Sequence, residues 1–294
     1  MTRPDPDSTG RRRDVARYYD RNMRPFVAFG GAAGSHAIHR ALWPPGVSDP
    51  RAAADHINVL IGEAIERTRA ETSAATVLDF GCGVGGTLFS LARKFPGCSL
   101  RGISISARQC ELARKLAADL GLAARCAFHC GDFETLDLDL EAEFAIAVES
   151  SVHAQSLRAL LGNMARHLKP GGRLFVVDDF IVANSSAGQT ALEPSSDNRA
   201  ILDDFRRGWH LASLTTVPAF VAAARDAGFE LEDERDLTPL IRFDRPRDRA
   251  VAVLGPLLRP FAAVPLFGNW VGGAALTRGL RRGLLAYRWL QFRR

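Results

Sequence analysis

The residues best suited to chemistry lie in the run Val77-Leu78-Asp79-Phe80-Gly81-Cys82-Gly83-Val84-Gly85-Gly86, where an apolar stretch ends in an acid and passes into four glycines. Glycine lets a backbone pass close to a ligand, and the carboxyl edge of a parallel sheet is where such a turn belongs. Gly81, Gly83 and Gly86 fit the spacing G-x-G-x-x-G, which by itself admits a dinucleotide or a turn that binds nothing. Two details argue against the dinucleotide. Asp79 puts negative charge where a pyrophosphate would sit, and the ribose-binding acid due about 20 residues on is replaced by Arg101-Gly102-Ile103-Ser104. The charge at Asp79 suits a cationic ligand.

A second set is Glu149 and His153, four residues apart in VESSVH, a spacing that puts both on one side if a helical turn begins at Ser150. They could serve as proton acceptor and partner, or as a structural carboxylate and a helix-capping histidine. A third is Asp203-Asp204-Phe205-Arg206-Arg207-Gly208-Trp209-His210. There Trp209 could face a cation or a prenyl chain and an arginine could meet a phosphate, or the stretch is a solvated helix with Trp209 in the core. Asp178 and Asp179 could hold Mg²⁺ if the acceptor is a diphosphate, although an acidic pair at a strand end is more often structural. No other metal site is expected, because Cys126 and Cys130 have no matching second pair, and the five cysteines read as free, buried thiols.

The elements that must position these groups follow from the rhythm after Thr72. Short apolar runs (ATVLDF, SLRGISI, 125–129, EFAIAVE, RLFVVDD) alternate with helical patterns at 86–94, 107–120 and 155–168, the signature of βαβ units. A further helix, a turn at Gly228 and a strand through ELEDERDL bring the legible strands to six. These six imply a doubly wound open α/β sheet, and the fold class expected is Rossmann-like and mostly parallel, seven-stranded with the seventh strand not legible in this rhythm, with an N-terminal helical lid and a C-terminal helical extension. Expected boundaries are a disordered arm at 1–13, the lid at 14–71 (with a helix from about 51 to 69), the ligand-binding domain at 72–245 with an insertion at 180–216, and the extension at 246–294.

The chain has 294 residues, 47% hydrophobic and 24% charged, which excludes a fibrous or wholly disordered protein. No apolar run is long enough for a transmembrane helix and the N-terminus lacks a secretory core, so a cytoplasmic location is expected. The net charge of +5 is concentrated in residues 249–294, which hold eight arginines and no acid. It is a property of the tail, and no nucleic-acid partner is expected. Leu276, Leu280 and Leu284 among these arginines read as a basic amphipathic helix, either docked on the domain or in peripheral contact with an anionic membrane.

The glycine run resembles the first motif of the class I S-adenosylmethionine (SAM) dependent methyltransferases, and the resemblance extends through Cys130-Gly131-Asp132-Phe133 and the His167-to-Leu174 run HLKPGGRL. It implies that Asp79, Gly81, Gly83 and Gly85 border the methionyl part of SAM, that Asp132 accepts from the adenine amino group and that Phe133 lies against the ring. The second strand departs from the commoner pattern: GISIS followed by Gln109 is similar to the variant in sterol, tocopherol, cyclopropane-forming and prenyl diphosphate methyltransferases, which implies Ser104 and Gln109 near SAM. Tyr18-Tyr19-Asp20 and SHAIHRALW, ending at Trp43, resemble that group's lid. The Glu149 segment looks like its E-A-T-x-H element, which makes Glu149 the candidate proton acceptor or cation stabiliser and His153 its partner. The implied activity is C-methylation of a hydrophobic small molecule of isoprenoid or related natural-product type. The acceptor would touch Tyr18, Trp43, Trp209 and His210. The alternative is O- or N-methylation with His153 as base. A homo-oligomer is compatible with the sequence.

Overall fold

The computed structural model describes residues 39–68, 75–182, 195–262 and 264–294. The expected arm, most of the lid and Tyr18 lie outside the described residues. Helix α1 (Pro50–Thr68) leads into β1 (Thr76–Phe80), α2 (Gly86–Lys94), β2 (Ser99–Ser104), α3 (Ala107–Asp119), β3 (Cys126–Cys130) and β4 (Ala142–Val148). A 3-10 turn at Ser151–His153 is followed by α4 (Leu157–Arg166), β5 (Leu168–Ile181), α5 (Ser196–Trp209), α6 (Val217–Asp226) and β6 (Glu230–Asp236). The chain closes with α7 (Pro246–Leu257), α8 (Pro265–Arg281) and β7 (Leu285–Arg293). The strands form one sheet in the order β3-β2-β1-β4-β5-β7-β6, parallel except for β7, which runs antiparallel to both neighbours.

Successive side chains of a strand alternate between faces, so a sheet covered on both sides must be apolar at every position. The middles of β4 (144–148) and β5 (174–177) are built that way. Phe144, Ile146, Phe175 and Val177 join α1, α2 and α3 in one core cluster, while Ala145, Ala147, Leu174 and Val176 join α4 and α6 in the other. Ser106, Ser156 and Thr216 each cap the helix they precede by accepting a backbone N–H. Of the five free cysteines, Cys130 is exposed and the others are buried.

The tail departs from the expected helix. α8 stops at Arg281, Gly283 turns the chain at φ +66°, and residues 285–293 become a strand in the sheet instead of an extension outside it. LAYRWLQFR is rich in aromatic and branched residues and nearly all of it is buried. Its basic charge has a local purpose. β6 is a polar edge strand, and Arg288 pairs with Glu234 and Asp236 while Arg293 pairs with Glu230 and Glu232. Leu276 and Leu280 are buried against α5, so the expected amphipathic face is part of the core. The sheet consequently depends on Trp289, fully buried with its ring 5.5 Å from that of Phe175. Trp289→Ala should cost about 3–5 kcal/mol in chemical denaturation. Trp289→Phe should cost far less, because the indole Nε1 has no hydrogen-bond partner among the described residues to lose.

Candidate active site

A cleft of about 1460 Å³, its open mouth included, lies along the carboxyl ends of β1, β2, β4 and β5. Its floor is the turn after β1, where Gly81 and Cys82 both donate backbone N–H groups to the Ile103 carbonyl at 2.9 Å. Gly81 sits at φ +102°, and a Cβ there would lie 2.4 Å from that of Ser150, so only glycine closes the turn against the end of β4. Gly83, Gly86 and Thr87 also line the cleft. Gly85, expected at the ligand, instead caps α2 at φ +88° beside the Phe128 ring and is not a lining residue. Gly86 and Thr87 take that place.

Asp79 lines the cleft and is only 4% exposed. It receives no hydrogen bond among the described residues, and burial pushes its carboxyl up to about 8. A buried acid without a partner is costly in the free protein, and a cation would relieve it. At the end of β2, Ser104 Oγ donates to Gln109 Oε1 at 2.7 Å, and both groups border the cleft as the sequence motif implied. The loop after β3 places Asp132, Phe133 and Glu134 on the same wall. Asn163 holds that loop through the Phe133 carbonyl, and Glu134 accepts the backbone N–H groups of Gln155 and Ser156.

Beside the glycine turn, just past the end of β4, stands Glu149. It is one of two non-glycine residues at positive φ among those described, at +49°, a strained conformation that tends to accompany function. Two donors meet on its Oε1: the backbone N–H of Arg40 at 2.9 Å and the phenol of Tyr287 at 2.8 Å. Oε2 receives no hydrogen bond from the described residues. The Arg40 guanidinium makes a two-pronged pair with Asp179, both bonds 2.8 Å, and lies 4.4 Å from the centre of the Tyr287 ring. Burial acts to lower the pKa of Arg40, but Asp179 and Glu149 outweigh it and raise it. The Tyr287 phenol is raised as well, by burial and by Glu149. Asp178, which accepts from Ser151 Oγ at 2.7 Å, is pushed up to about 7 by burial. The acidic pair considered for Mg²⁺ is therefore engaged inside the protein, one member by Arg40 and the other by the Ser151 turn.

His153 lines the cleft from the 3-10 turn. Burial pushes its imidazole down to about 4, opposed in part by the backbone of His210 and by Glu149, so it is neutral at pH 7 and a weak base. Trp209 and Phe205 also line the cleft, their rings 5.8 Å apart. The other two expected acceptor contacts lie elsewhere. His210 is the exposed cap of α5 at φ +55°, and Trp43 is held against Arg242 and Arg245, 4.6 and 4.5 Å from their guanidinium carbons, outside the lining. Arg40 and Tyr287 carry the network around Glu149 but were not singled out from the sequence. Arg40 stood within the lid-like stretch, whereas Tyr287 belongs to no local motif and is brought in by the pairing of β7 with β5, which sets it opposite Asp179.

A methyltransferase-domain family model matches residues 77–172. Methyltransferase GfsG of Streptomyces halstedii is 31% identical over 252 residues, 84% of this chain and 83% of that protein. A sterol 24-C-methyltransferase of Gibberella zeae, ERG6A, is 33% identical over 174 residues, 58% of this chain and 42% of that protein. The chain thus spans less than half the length of the first sterol methyltransferases it matches. In fold it is similar to geranyl diphosphate C-methyltransferase from Streptomyces coelicolor A3(2), solved with Mg²⁺, geranyl-S-thiolodiphosphate and S-adenosyl-L-homocysteine, at a TM-score of 0.71, 18% identity and full coverage of both chains. Because the likeness to the Streptomyces halstedii protein runs far beyond the stretch that the family model covers, through 84% of the sequence, the chain belongs to the class I SAM-dependent methyltransferases.

Proposed function

We propose that this protein transfers a methyl group from SAM to a carbon of an uncharged, lipophilic acceptor of isoprenoid or related natural-product type. The observation that carries the reading is Glu149 on the lining of the cleft, held in a strained conformation with one oxygen anchored by two donors and the other receiving no hydrogen bond from the described residues. The Gly81 turn, Asp79, Ser104, Gln109, Asp132 and Phe133 would hold SAM. Asp79 would meet its positive charge and Asp132 its adenine. When bound, SAM supplies a methyl group already activated on a sulfonium, so the protein's task is to orient the acceptor and exclude water.

An alkene acceptor gives its π pair to the new carbon–carbon bond while the methyl–sulfur bond breaks and leaves its pair on the departing thioether sulfur, so the acceptor becomes a cation. That cation faces the rings of Phe205 and Trp209 and the carboxylate of Glu149. Glu149 then takes a proton from the adjacent carbon, and the C–H pair restores a double bond. The charge around the cleft suits this course. Asp132, Glu134, Glu149 and Asp179 line it against Arg40, which is already paired, and Asp79 and Asp178, which burial raises to about 8 and about 7, add negative charge only when they ionise. An acceptor carrying a diphosphate would need a metal ion, and Asp179 would have to leave Arg40 to bind one. The O- or N-methylation alternative asks His153 to act as base, and its pull on a proton is weak.

The test is incubation with methyl-deuterated SAM and a panel of sterols, prenyl alcohols, prenyl diphosphates, quinols and phenols, with and without Mg²⁺, the label being located by mass spectrometry. Deuterium on carbon of a neutral isoprenoid is the expected result. Label confined to oxygen or nitrogen would overturn the Glu149 mechanism.

A further inference from the structure

Seven large hydrophobic residues are exposed among those described, and five of them fall between 253 and 264: Val253, Leu254, Leu257, Phe261 and Val264. Val253 and Leu257 are 65% and 68% exposed, unusual for such residues beside one another. Their position follows from how α7 packs. A Cβ on Gly255 would lie 2.4 Å from that of Ala274 and 2.8 Å from the Trp270 carbonyl, so the Gly255 side of α7 is pressed against the backbone of α8. Val251 also reaches α8, at Gly273. Val253, Leu254 and Leu257 are turned outward. A helix apolar on both sides is ordinarily covered on both sides.

The charge around this patch identifies the cover. Arg245, Arg249 and Arg259 are exposed along the same segment, and no acid follows Asp248 in the chain, although Arg259 pairs with Asp204 at 3.0 Å. A second copy meeting this face about a two-fold axis would bring arginine against arginine. Anionic lipid headgroups would complement them, with the apolar side chains seated at the acyl boundary. The far side of α8 meets α5 as closely as the near side meets α7. A Cβ on Gly272 would lie 2.4 Å from Trp209 Cδ1, and one on Gly208 would lie 2.6 Å from Gly272 Cα. The patch, α7, α8 and the Trp209 wall of the cleft are therefore successive layers.

We propose that the patch formed by Val253, Leu254, Leu257, Phe261 and Val264 docks this protein on the surface of an anionic bilayer, beside the acceptor end of the cleft. The proposal rests on the lipophilic-acceptor reading for its purpose, but its test needs no methyl transfer, so either can fail without the other. Full-length protein is floated with phosphatidylcholine vesicles with and without phosphatidylglycerol, comparing wild type with Leu257→Ser/Phe261→Ser. SAM binding and melting temperature are the controls for folding. Wild type should float with the anionic vesicles only, less at high salt, and the double variant should bind about tenfold or more weakly with SAM binding intact. Equal flotation of wild type and variant, or no flotation of wild type, would overturn it. So would light scattering that shows a wild-type dimer which the same substitutions dissociate.

Discussion

Glu149→Gln should bind SAM as wild type does and turn over about 10²- to 10⁴-fold more slowly. The substitution preserves shape and both anchoring contacts, because an amide oxygen can still accept from the Arg40 N–H and the Tyr287 phenol. What it removes is the oxygen that can take a proton and the negative charge beside the developing cation. Isothermal titration with SAM and single-turnover kinetics separate the two effects. Tyr287→Phe is the companion. It deletes one 2.8 Å hydrogen bond to Oε1 and leaves the carboxylate, so kcat should fall about tenfold with SAM affinity unchanged. Normal turnover by Glu149→Gln would remove this residue from the chemistry and make His153→Ala the next variant to measure.

The parallel half of the fold was legible because each of its strands is a short apolar run stopped by a turn residue and followed by a periodic helix. ATVLDF, SLRGISI and EFAIAVE lie within a residue or two of β1, β2 and β4, and helix α2 spans 86–94 as expected. Residues 285–293 were not legible in the same way. The leucines at 276, 280 and 284 continue a helical spacing across the boundary, and nothing local shows that Gly283 breaks it. Strand β7 is specified by its partners: apolar side chains meeting both faces of β5, and arginines meeting the acids of β6. A strand buried on both faces carries no alternation, so this long-range pairing leaves no periodic trace in β7 alone.

The candidate site divides along the same line. Asp79, Gly81, Gly83, Ser104, Gln109, Asp132, Phe133, Glu149 and His153 all lie at strand ends or within a few residues after them, where sequence neighbours are also neighbours in space, and all of them line the cleft. Trp209 does too, from the end of α5. Trp43 and His210 were inferred from residue type within a resembling stretch, and type does not decide direction. Trp43 was taken by two arginines more than 190 positions away, and His210 by the left-handed cap that ends its helix. Arg40 and Tyr287 are the converse case. Their role exists only because segments separated by more than 100 residues converge on Glu149.

Asp79→Asn should weaken SAM binding about 10- to 100-fold and at the same time stabilise the unliganded protein. Both effects come from one carboxyl. In the free protein burial holds it at about 8 against 3.8 for the unperturbed group, so at pH 7 the folded state carries a proton that the unfolded state has lost. The folded state binds more protons between these two values. The Asp79 contribution to stability therefore falls as pH rises from about 4 to about 8 and is level above that. Asparagine removes this penalty, so the difference in melting temperature between variant and wild type should grow across that window. A cation held beside Asp79 favours the ionised form, so SAM binding releases a proton, and wild-type affinity should rise by up to about tenfold per pH unit toward pH 8 before flattening. The variant should lose that component of the pH dependence. Titration in two buffers of different ionisation enthalpy measures the released proton directly. If Asp79→Asn binds SAM as tightly as wild type and with the same pH profile, the buried acid serves the turn alone and the cation lies elsewhere in the cleft.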